Sequence, residues 1–482
     1  MKTMKKLLYI STAILGFSFL SCKKELNLVP YNALPPSEVF SSDADFQNAV
    51  SGMYLEMRNS GAYYVGGDNS SFIATNDILT DNLIGFSNSR GTGAQFADWN
   101  YNALTTTTFY IDGYAIIRSA NEIIANIGNL PESDSVNKND YLGQALAVRA
   151  IVHFDLARLF GNAYNFASAS DLGVPYVTHV PAYTENPTRD LLKNNYDSVM
   201  VDLNNAVSLI GDDAPGRVGK AAVYGYLSRL YLDMSDWTNT IASATASLNI
   251  ESDPGSLTDF PNIWIDQSEN GVLFKLKILQ TDQLTPGTSF GQGAKAEQIP
   301  TAYLFNLYQS NDVRLTAYFA PVTYNGLNIN LVIKYLGQGA AGDIQNLVDI
   351  KLLRVAEVYL NRAEAYANSG QDALALADLD ALRSNRYTNF SSGNETGAAL
   401  KTAIALERRL ELALEGDRFV DLKRKGLGII RPDVNGGLNS GLVRPWPAQS
   451  LTMSPGDHRF ALPIDQNSIN AAKGVLLQNP GY

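Results

Sequence analysis

The sequence is poor in cysteine, in histidine and in net positive charge, and each shortage excludes a class of function. Cys22 is the only cysteine among 482 residues, which excludes an internal disulfide framework and any zinc or iron-sulfur site built from several cysteines. Three histidines leave little material for a Ser-His-Asp triad or a histidine-rich metal site. A formal net charge of -11 opposes binding to nucleic acid. We therefore expect no cofactor and no nucleic-acid partner.

The N-terminal segment has the features of an export signal. A basic start, MKTMKK, precedes an apolar run over 7–20 that is too short for a stable membrane span. The run ends at FLSC, residues 19–22, which resembles a bacterial lipobox. The sequence therefore predicts a lipoprotein signal peptide over 1–21 and acylation of Cys22. Several acyl chains on one residue would anchor a protein to a membrane without inserting it.

Helical spacing dominates the chain after a proline-containing tether. Residues 22–36 carry three prolines and little periodicity, which predicts an extended connection. Helix pairs are predicted at 219–248 and at 349–383, where a Gly or Asp turn separates two apolar-periodic segments, as in degenerate tetratricopeptide repeats. Further helices are expected at 44–58, 108–128, 141–159, 189–210 and 402–415. Strand signals are limited to 271–279 and 329–336. The class is mainly α with minor β.

Two of these helical segments have one apolar and one polar face. In 349–369 the apolar stripe is formed by Leu352, Ala356, Tyr359, Ala363 and Tyr366. The polar side of the same segment carries Arg354, Glu357, Asn361 and Glu364. In 403–426 the leucines at 406, 410 and 414 share one face, and the glutamates at 407, 411 and 415 share another.

The segment 403–426 also predicts a helix-turn-helix. Gly416 is expected to end the first helix, and Asp417 is expected to cap the second. Ion pairs among the charged side chains are expected to fix the turn. The residues concerned are Glu411, Glu415, Arg418, Asp421 and Arg424.

Six segments in a fixed order resemble the SusD/RagB family of outer-membrane nutrient-binding lipoproteins of Bacteroidetes. They are ALAVRAIVHFDLARLFGNAY (145–164), 188–207, 219–237, DIKLLRVAEVYLNRAEAY (349–366), ERRLELALEGDRFVDLKRKG (407–426) and ALPIDQNSINAAKGVLLQNPGY (461–482). The resemblance covers nearly the whole mature chain. It implies one SusD-like domain over 37–482, with about four degenerate tetratricopeptide-like helix pairs, long loops and a RagB/SusD C-terminal part from about 270 to 482.

The same resemblance implies where the protein works and with what. It implies a lid-like partnership with a SusC-like, TonB-dependent outer-membrane barrel that imports the captured nutrient. Lipid on Cys22 would place the protein at the cell surface, anchored in the outer membrane.

Aromatic side chains in loops are the candidate ligand-binding residues. A sugar ring offers an apolar C–H face and a rim of hydroxyls, so a glycan site needs flat rings beside polar side chains. The loops within 61–101 and the stretch Arg-Pro-Trp-Pro at 444–447 combine these features. The predicted stacking residues are Tyr63, Tyr64, Phe86, Trp99 and Trp446. Trp237 and Trp264 are assigned to the scaffold.

The leading hypothesis is a non-catalytic surface receptor that binds oligosaccharide and delivers it to the barrel. Three alternatives remain open: the same architecture with peptide cargo, a surface glycoside hydrolase that uses paired carboxylates, and a lipoprotein that only stabilises the barrel. With 48 acidic residues, sequence spacing neither identifies nor excludes a carboxylate pair or a calcium site.

Overall fold

A computed structural model describes most of the chain from residue 39 onwards. The described ranges are 39–59, 63–65, 71–131, 134–182, 184–211, 215–282, 284–292, 295–324, 326–337, 347–431 and 442–482. The predicted signal peptide (1–21), the acylated Cys22 and the tether (22–36) lie outside these residues.

Helices form most of the described structure, which confirms the predicted mainly α class. The helices are α1 (Asp43–Asn59), α2 (Phe72–Ile78), α3 (Ala94–Ala97), α4 (Phe109–Asn126), α5 (Ser135–Phe160), α6 (Leu192–Val207), α7 (Lys220–Asp233), α8 (Trp237–Ile250), α9 (Asp259–Ile263), α10 (Ala302–Phe305), α11 (Val313–Tyr318), α12 (Val355–Asn368), α13 (Asp372–Arg383), α14 (Gly397–Glu411), α15 (Arg418–Arg424) and α16 (Gln466–Ala471).

The β structure is minor and consists, in the described ranges, of two-stranded antiparallel sheets. The strands are β1 (Leu83–Gly85), β2 (Val272–Leu276), β3 (Gly291–Gln292), β4 (Lys295–Ala296), β5 (Gln298–Pro300), β6 (Phe319–Tyr324), β7 (Leu327–Val332), β8 (Ile350–Arg354), β9 (Ile429–Ile430) and β10 (Thr452–Met453). The pairs are β1 with β5, β2 with β8, β3 with β4, β6 with β7, and β9 with β10.

Consecutive helices pack on one another along much of the chain. Helix α5 packs on both α4 and α6, α7 packs on α8, and α12 packs on α13. Helix α12 also contacts α8 and α14, so the two predicted helix pairs at 219–248 and 349–383 lie side by side. This arrangement is consistent with the tetratricopeptide-like pattern of the sequence.

The boundaries of two predicted helices are wrong. Residues 350–354 form strand β8, which pairs Ile350 with Leu276 of β2, and α12 begins only after Arg354, whose backbone is still extended. Pairing with a distant strand has therefore overridden the helical period. Helix α14 ends at Glu411 rather than at Gly416, and Leu414 in the connection has a φ of 69°.

The polar faces of these helices point inward, contrary to the usual amphipathic pattern. Arg354, Glu357, Asn361 and Glu364 are all buried. Arg229 of α7 pairs with Glu357 at 2.6 Å, and Arg424 of α15 pairs with Glu364 at 2.7 Å. In α14, Leu406 is 40% exposed whereas Glu407 and Glu411 are buried. The burial of these charges is possible because each has an oppositely charged partner from another element.

Ion pairs do form at the helix-turn-helix, but among the predicted residues only Asp421 and Arg424 pair with each other, and the others take partners from distant elements. Glu411 lies within 3.1 Å of nitrogen atoms of three buried arginines, Arg314, Arg354 and Arg386. Glu415 pairs with Arg354 at 2.6 Å. Burial alone would raise the pKa of Glu411, but the three guanidinium groups more than reverse this effect and hold the pKa well below its usual value.

The remaining charges of the turn are also paired. Arg418 binds Asp81 at 3.1 Å, and Asp421 binds Arg424 at 2.5 Å. Asp417 occupies the N-cap position of α15, but its side chain makes no capping bond there, so that detail of the prediction is wrong. Its carboxylate instead pairs with Arg408 at 2.8 Å.

Candidate functional site

The five aromatic residues that the sequence singles out are buried, which corrects the expectation that they stand exposed in loops. Exposed fractions run from 0% for Tyr63 to 6% for Trp99, with Tyr64, Phe86 and Trp446 between them. A ring that stacks on a sugar must offer one face to solvent. These rings therefore serve packing in the described structure, as their contacts show.

Trp99 and Trp446 enclose the guanidinium group of Arg431. The guanidinium carbon lies 4.1 Å from the ring centre of Trp99 and 4.6 Å from that of Trp446. Arg431 also donates hydrogen bonds to backbone carbonyls, those of Ile78, Thr80, Ala97 and Ser450. We call Trp99, Trp446 and Arg431 the loop layer.

The loop layer contains a buried cation with no carboxylate within ion-pair distance among the described residues, and a residue with an unusual backbone angle. Burial lowers the pKa of Arg431 to about 9, although the distant charge of Asp81 opposes the shift. Trp99 has a φ of 48°, which is uncommon for a residue with a bulky side chain, and its indole N–H donates to the carbonyl of Leu79 at 2.9 Å. These bonds fix the loop after α3 against the segment before β1 and the segment after 442.

Tyr63 and Tyr64 belong to an aromatic cluster in the interior. Their ring centres lie 4.6 Å apart, and Phe72 lies 5.5 Å from Tyr64. The hydroxyl of Tyr64 donates to the carboxyl group of Asp155 in α5. Burial raises the pKa of Asp155 to about 6, against the lowering effect of this hydrogen bond.

His153 of α5 has a structural role. It is buried beside Arg149, whose backbone carbonyl lies 2.9 Å from Nδ1, and its Nε2 accepts the backbone N–H of Val177 at 3.0 Å. Burial lowers the pKa of His153 to about 3, so the ring stays neutral.

The two predicted loop stretches, 61–101 and 444–447, do meet in space. Phe86 forms a β-bridge with Val443, and the backbone N–H of Arg444 donates to the carbonyl of Gly85 at 2.8 Å. The guanidinium of Arg444 pairs with the carboxylate of Asp98. The two stretches therefore form one surface, but the five predicted rings are not the side chains exposed on it.

Tyr324 at the end of β6, whose side chain is partly exposed, contacts this surface. Its ring meets the buried Phe86 edge-on, with 5.2 Å between ring centres and 82° between ring planes. The exposed Asn88 donates to the Tyr324 hydroxyl at 2.7 Å. Nearby, Arg90 donates to Glu297 at 2.9 Å. We call Asn88, Arg90, Tyr324 and Arg444 the loop face.

Tyr324 is not among the stacking residues predicted from the sequence. It ends a strand at a hairpin, with Asn-Gly following directly, and this turn signal was available in the sequence. What the sequence could not supply was the contact with Phe86, because the two residues are distant along the chain.

An open cleft lies on the helix pairs. It has a volume of about 540 Å³, and its wall includes Phe166 and Trp237. Trp264 is buried, as expected for a scaffold residue, whereas Trp237 is only partly buried. Sequence reasoning missed this cleft because several segments distant along the chain form it.

Two further properties bear on the kind of site the molecule can hold. Over the described residues, no group of three or more His, Cys, Asp or Glu side chains is arranged to hold a metal ion. None of the described helices has the length and apolar character needed to cross a bilayer.

Comparisons with known proteins define the class and then the family. A family model described as starch-binding and associating with the outer membrane matches residues 26–232, and the model of the SusD family matches residues 276–482. A solved SusD superfamily protein from Bacteroides thetaiotaomicron superposes with a TM-score of 0.80 at 26% identity, covering 91% of this chain and 100% of that one. The fold is thus that of the SusD superfamily.

Relatives match over almost the full length. The SusD-like protein P2 of Formosa agariphila is 23% identical over 524 aligned positions, covering 98% of this chain and 99% of the relative. The surface glycan-binding protein A of Bacteroides fluxus shares the fold, with a TM-score of 0.71 at 19% identity and coverage of 92% and 100%. The chain belongs to the SusD/RagB family, as its helical segments indicated.

Proposed function

We propose that this protein is a surface-anchored, non-catalytic receptor that binds oligosaccharide at the loop face and passes it to a TonB-dependent outer-membrane transporter. The observation that carries the proposal is the fixed ring of Tyr324, which stands on Phe86 and is bound by Asn88 at the exposed edge of the fold. An oriented ring beside amide and guanidinium groups matches the apolar face and hydroxyl rim of a sugar.

The charges around the loop face favour binding rather than hydrolysis. The carboxylates of Asp98 and Glu297 pair with Arg444 and Arg90 of the loop face. A glycosidase needs one carboxyl group that stays protonated near neutral pH and a second one close to the same bond. The carboxyl groups whose pKa burial raises to about 6, Asp77 and Asp155, are instead enclosed in the interior.

The family context supports the choice of ligand and place. One matching family model is described as starch-binding and outer-membrane associated, and the Bacteroides fluxus protein of the same fold is named as a surface glycan-binding protein. The lipobox-like FLSC supplies a means of anchoring through Cys22. Handover to a SusC-like barrel follows from the family resemblance.

Affinity electrophoresis tests the binding proposal. The wild-type chain is run through native gels containing soluble starch, laminarin or other polysaccharides, beside gels without polysaccharide. We expect at least one polysaccharide to slow the wild type, Tyr324→Ala to reduce the retardation strongly, and Tyr324→Phe, which keeps the ring, to preserve most of it. Retardation by none of the polysaccharides would contradict the glycan assignment and favour peptide cargo. Release of shortened sugars would contradict the non-catalytic assignment.

The anchor has its own test. In cells that express the full chain, Cys22→Ser is expected to move the protein from the membrane fraction to the soluble fraction, since the acylated side chain is lost. A Cys22→Ser protein that stays with the membrane would contradict lipid anchoring at this residue.

A further inference from the structure

The cleft on the helix pairs, which shares no residue with the loop face, has the build of a ligand site. It lies where the turn after α5, the start of α8, the end of α12 and one side of α14 meet. Its volume of about 540 Å³ is within the range of small-molecule sites, roughly 300–1,000 Å³. We call it the helix-pair cleft. Its wall includes Asn165, Phe166, Ser235, Trp237, Asn368, Lys401 and Thr402.

Two aromatic rings form part of its wall. Phe166 is 58% exposed, which is unusual for a large apolar side chain held in a short helical turn. The ring lies against Gly426, which has a φ of 62°, and a Cβ atom at that position would collide with it. Trp237, the first residue of α8, is partly buried and supplies the second ring.

Hydrogen bonds hold the segments that carry the two rings together. The side-chain amide of Asn165 donates to the carbonyl of Asp233 at 2.9 Å and to the hydroxyl of Ser235 at 2.7 Å. Ser235 has a φ of 56° and lies two residues before Trp237. The turn that presents Phe166 is therefore tied to the turn that presents Trp237, so the relative position of the rings is set before any ligand arrives.

The polar groups of the cleft are suited to sugar hydroxyls. The amide nitrogen of Asn368 donates to the carbonyl of Glu364 at 2.9 Å, which leaves its amide oxygen as an acceptor. The Thr402 hydroxyl donates to the carbonyl of Ala398 at 3.0 Å and keeps its lone pairs. The exposed Lys401 forms no ion pair with any described residue, so its ammonium group can donate.

We propose that the helix-pair cleft is a second oligosaccharide-binding site, with Phe166 and Trp237 as stacking surfaces and Asn368, Lys401 and Thr402 as hydrogen-bonding partners. The inference rests on the proposed function, because it assigns a further site for the same class of ligand. The one carboxylate in the wall, Glu364, is paired with Arg424, so the cleft binds sugar without acid or base chemistry.

Two sites on one protein strengthen its binding to long polysaccharides. A polysaccharide that reaches both sites binds the second one as an intramolecular event, which raises the apparent affinity for polymer above that for a short oligosaccharide. Such a receptor retains polymer at the cell surface more strongly than either site alone would allow.

Titration calorimetry with the full chain tests the inference. The probes are maltoheptaose and laminarihexaose, and the proteins are wild type, Phe166→Ala, Phe166→Tyr, Tyr324→Ala and the double variant Phe166→Ala/Tyr324→Ala. We expect two sites in the wild type, one in each single alanine variant and none in the double variant. Phe166→Tyr keeps the ring and should retain both sites. Adding Phe166→Ala to Tyr324→Ala should weaken the remaining binding about tenfold or more, below detection with these probes.

The outcomes separate the two proposals. One site in the wild type that Tyr324→Ala removes and Phe166→Ala leaves unchanged would overturn the helix-pair cleft while the proposed function stands. Binding that Phe166→Ala removes and Tyr324→Ala leaves intact would support the cleft and contradict the loop face. A wild type that binds no probe, in gels or in solution, would overturn the proposed function and the cleft with it. Unchanged thermal unfolding of Phe166→Ala is the control for folding.

Discussion

Two of the regions that bury arginine compensate its charge in different ways. Around Glu411, three buried arginines share carboxylates, and the nearest distances are 2.6–3.1 Å. In the loop layer, Arg431 has no carboxylate within ion-pair distance among the described residues and relies on two indole rings and four carbonyls. The first region is a network of opposite charges, and the second is a cation held by rings and backbone dipoles.

The difference indicates what each region contributes. The Glu411 network joins α11, β8, the turn after α13 and α14, so it fixes the scaffold of the C-terminal half. The loop layer joins the segment 78–99 to the segment after 442. These two segments carry Phe86 and Arg444, so the loop layer fixes the surface that the ring of Tyr324 contacts. Rings that sequence reasoning assigned to the ligand therefore act one layer below the surface, by positioning the loops that reach it.

The largest effect is expected from Glu411→Gln. The substitution keeps the shape but leaves three buried arginines short of a negative charge, so the free energy of unfolding should fall by about 4 kcal/mol. Urea denaturation measures the change, and Leu406→Ala, at an exposed site of the same helix, is the matched control. A Glu411→Gln protein as stable as the wild type would show that the network is dispensable.

Trp99→Ala is expected to cost slightly less stability, about 3 kcal/mol, through a cavity, a lost hydrogen bond to Leu79 and an exposed face of Arg431. Denaturation again measures it, at a temperature where the variant is folded. Binding of glycan per folded molecule should change little. A variant of normal stability that no longer binds glycan would restore Trp99 as a stacking residue and break the distinction between the two layers.

Acid should weaken the first region before the second. The folded-state pKa of Glu411 lies below its unfolded value of 4.5, so its stabilising contribution is complete above that pH and is lost as pH falls below it. Arg431 keeps its charge throughout this range. We expect the stability of the wild type to fall more steeply than that of Glu411→Gln between pH 5 and pH 3, as measured by denaturation at each pH. Parallel curves would contradict the depressed pKa.

If Glu411→Gln is too unstable to titrate, Glu357→Gln provides the same test. Burial raises the pKa of Glu357, but the charges of Arg229 and Arg408 outweigh this effect and lower it overall. Its contribution therefore has the same sign of pH dependence, and the variant should likewise lose less stability than the wild type on acidification.

The smallest effect is expected at the exposed edge of the loop face. Arg90 is half exposed, and its partner Glu297 also accepts the backbone N–H groups of Arg90 and Thr92. Because Glu297 keeps these bonds, Arg90→Ala should lower the free energy of unfolding by less than about 1 kcal/mol. A loss of several kcal/mol in denaturation experiments would place Arg90 among the buried networks instead.

Much of the fold could be predicted from the sequence because it depends on local spacing. The helix pairs at 219–248 and 349–383 are present, and Asp421 pairs with Arg424 as expected, whereas Glu411 takes its partners from other elements. Which face of α12 is buried could not be predicted, because Glu357 and Glu364 acquire their partners from α7 and α15, far along the chain.

The candidate site was harder to predict for the same reason. Loop aromatics indicated two stretches that do meet in space, but whether a ring is exposed depends on what covers it. Arg431 lies over the rings of Trp99 and Trp446, whereas Tyr324 covers Phe86. Trp237 shows the opposite case, since a position at a helix-pair turn suggested packing while the structure leaves it in an open cleft.

We infer that the buried rings hold the fold while the partly exposed ring of Tyr324 holds the ligand. The most direct measurement is the dissociation constant of Tyr324→Ala for the glycan that retards the wild type, determined by calorimetry beside Trp99→Phe. We predict about tenfold or weaker binding for Tyr324→Ala at unchanged fold and near-wild-type binding for Trp99→Phe. Wild-type affinity in Tyr324→Ala, with binding lost in a folded Trp99→Phe, would contradict the account.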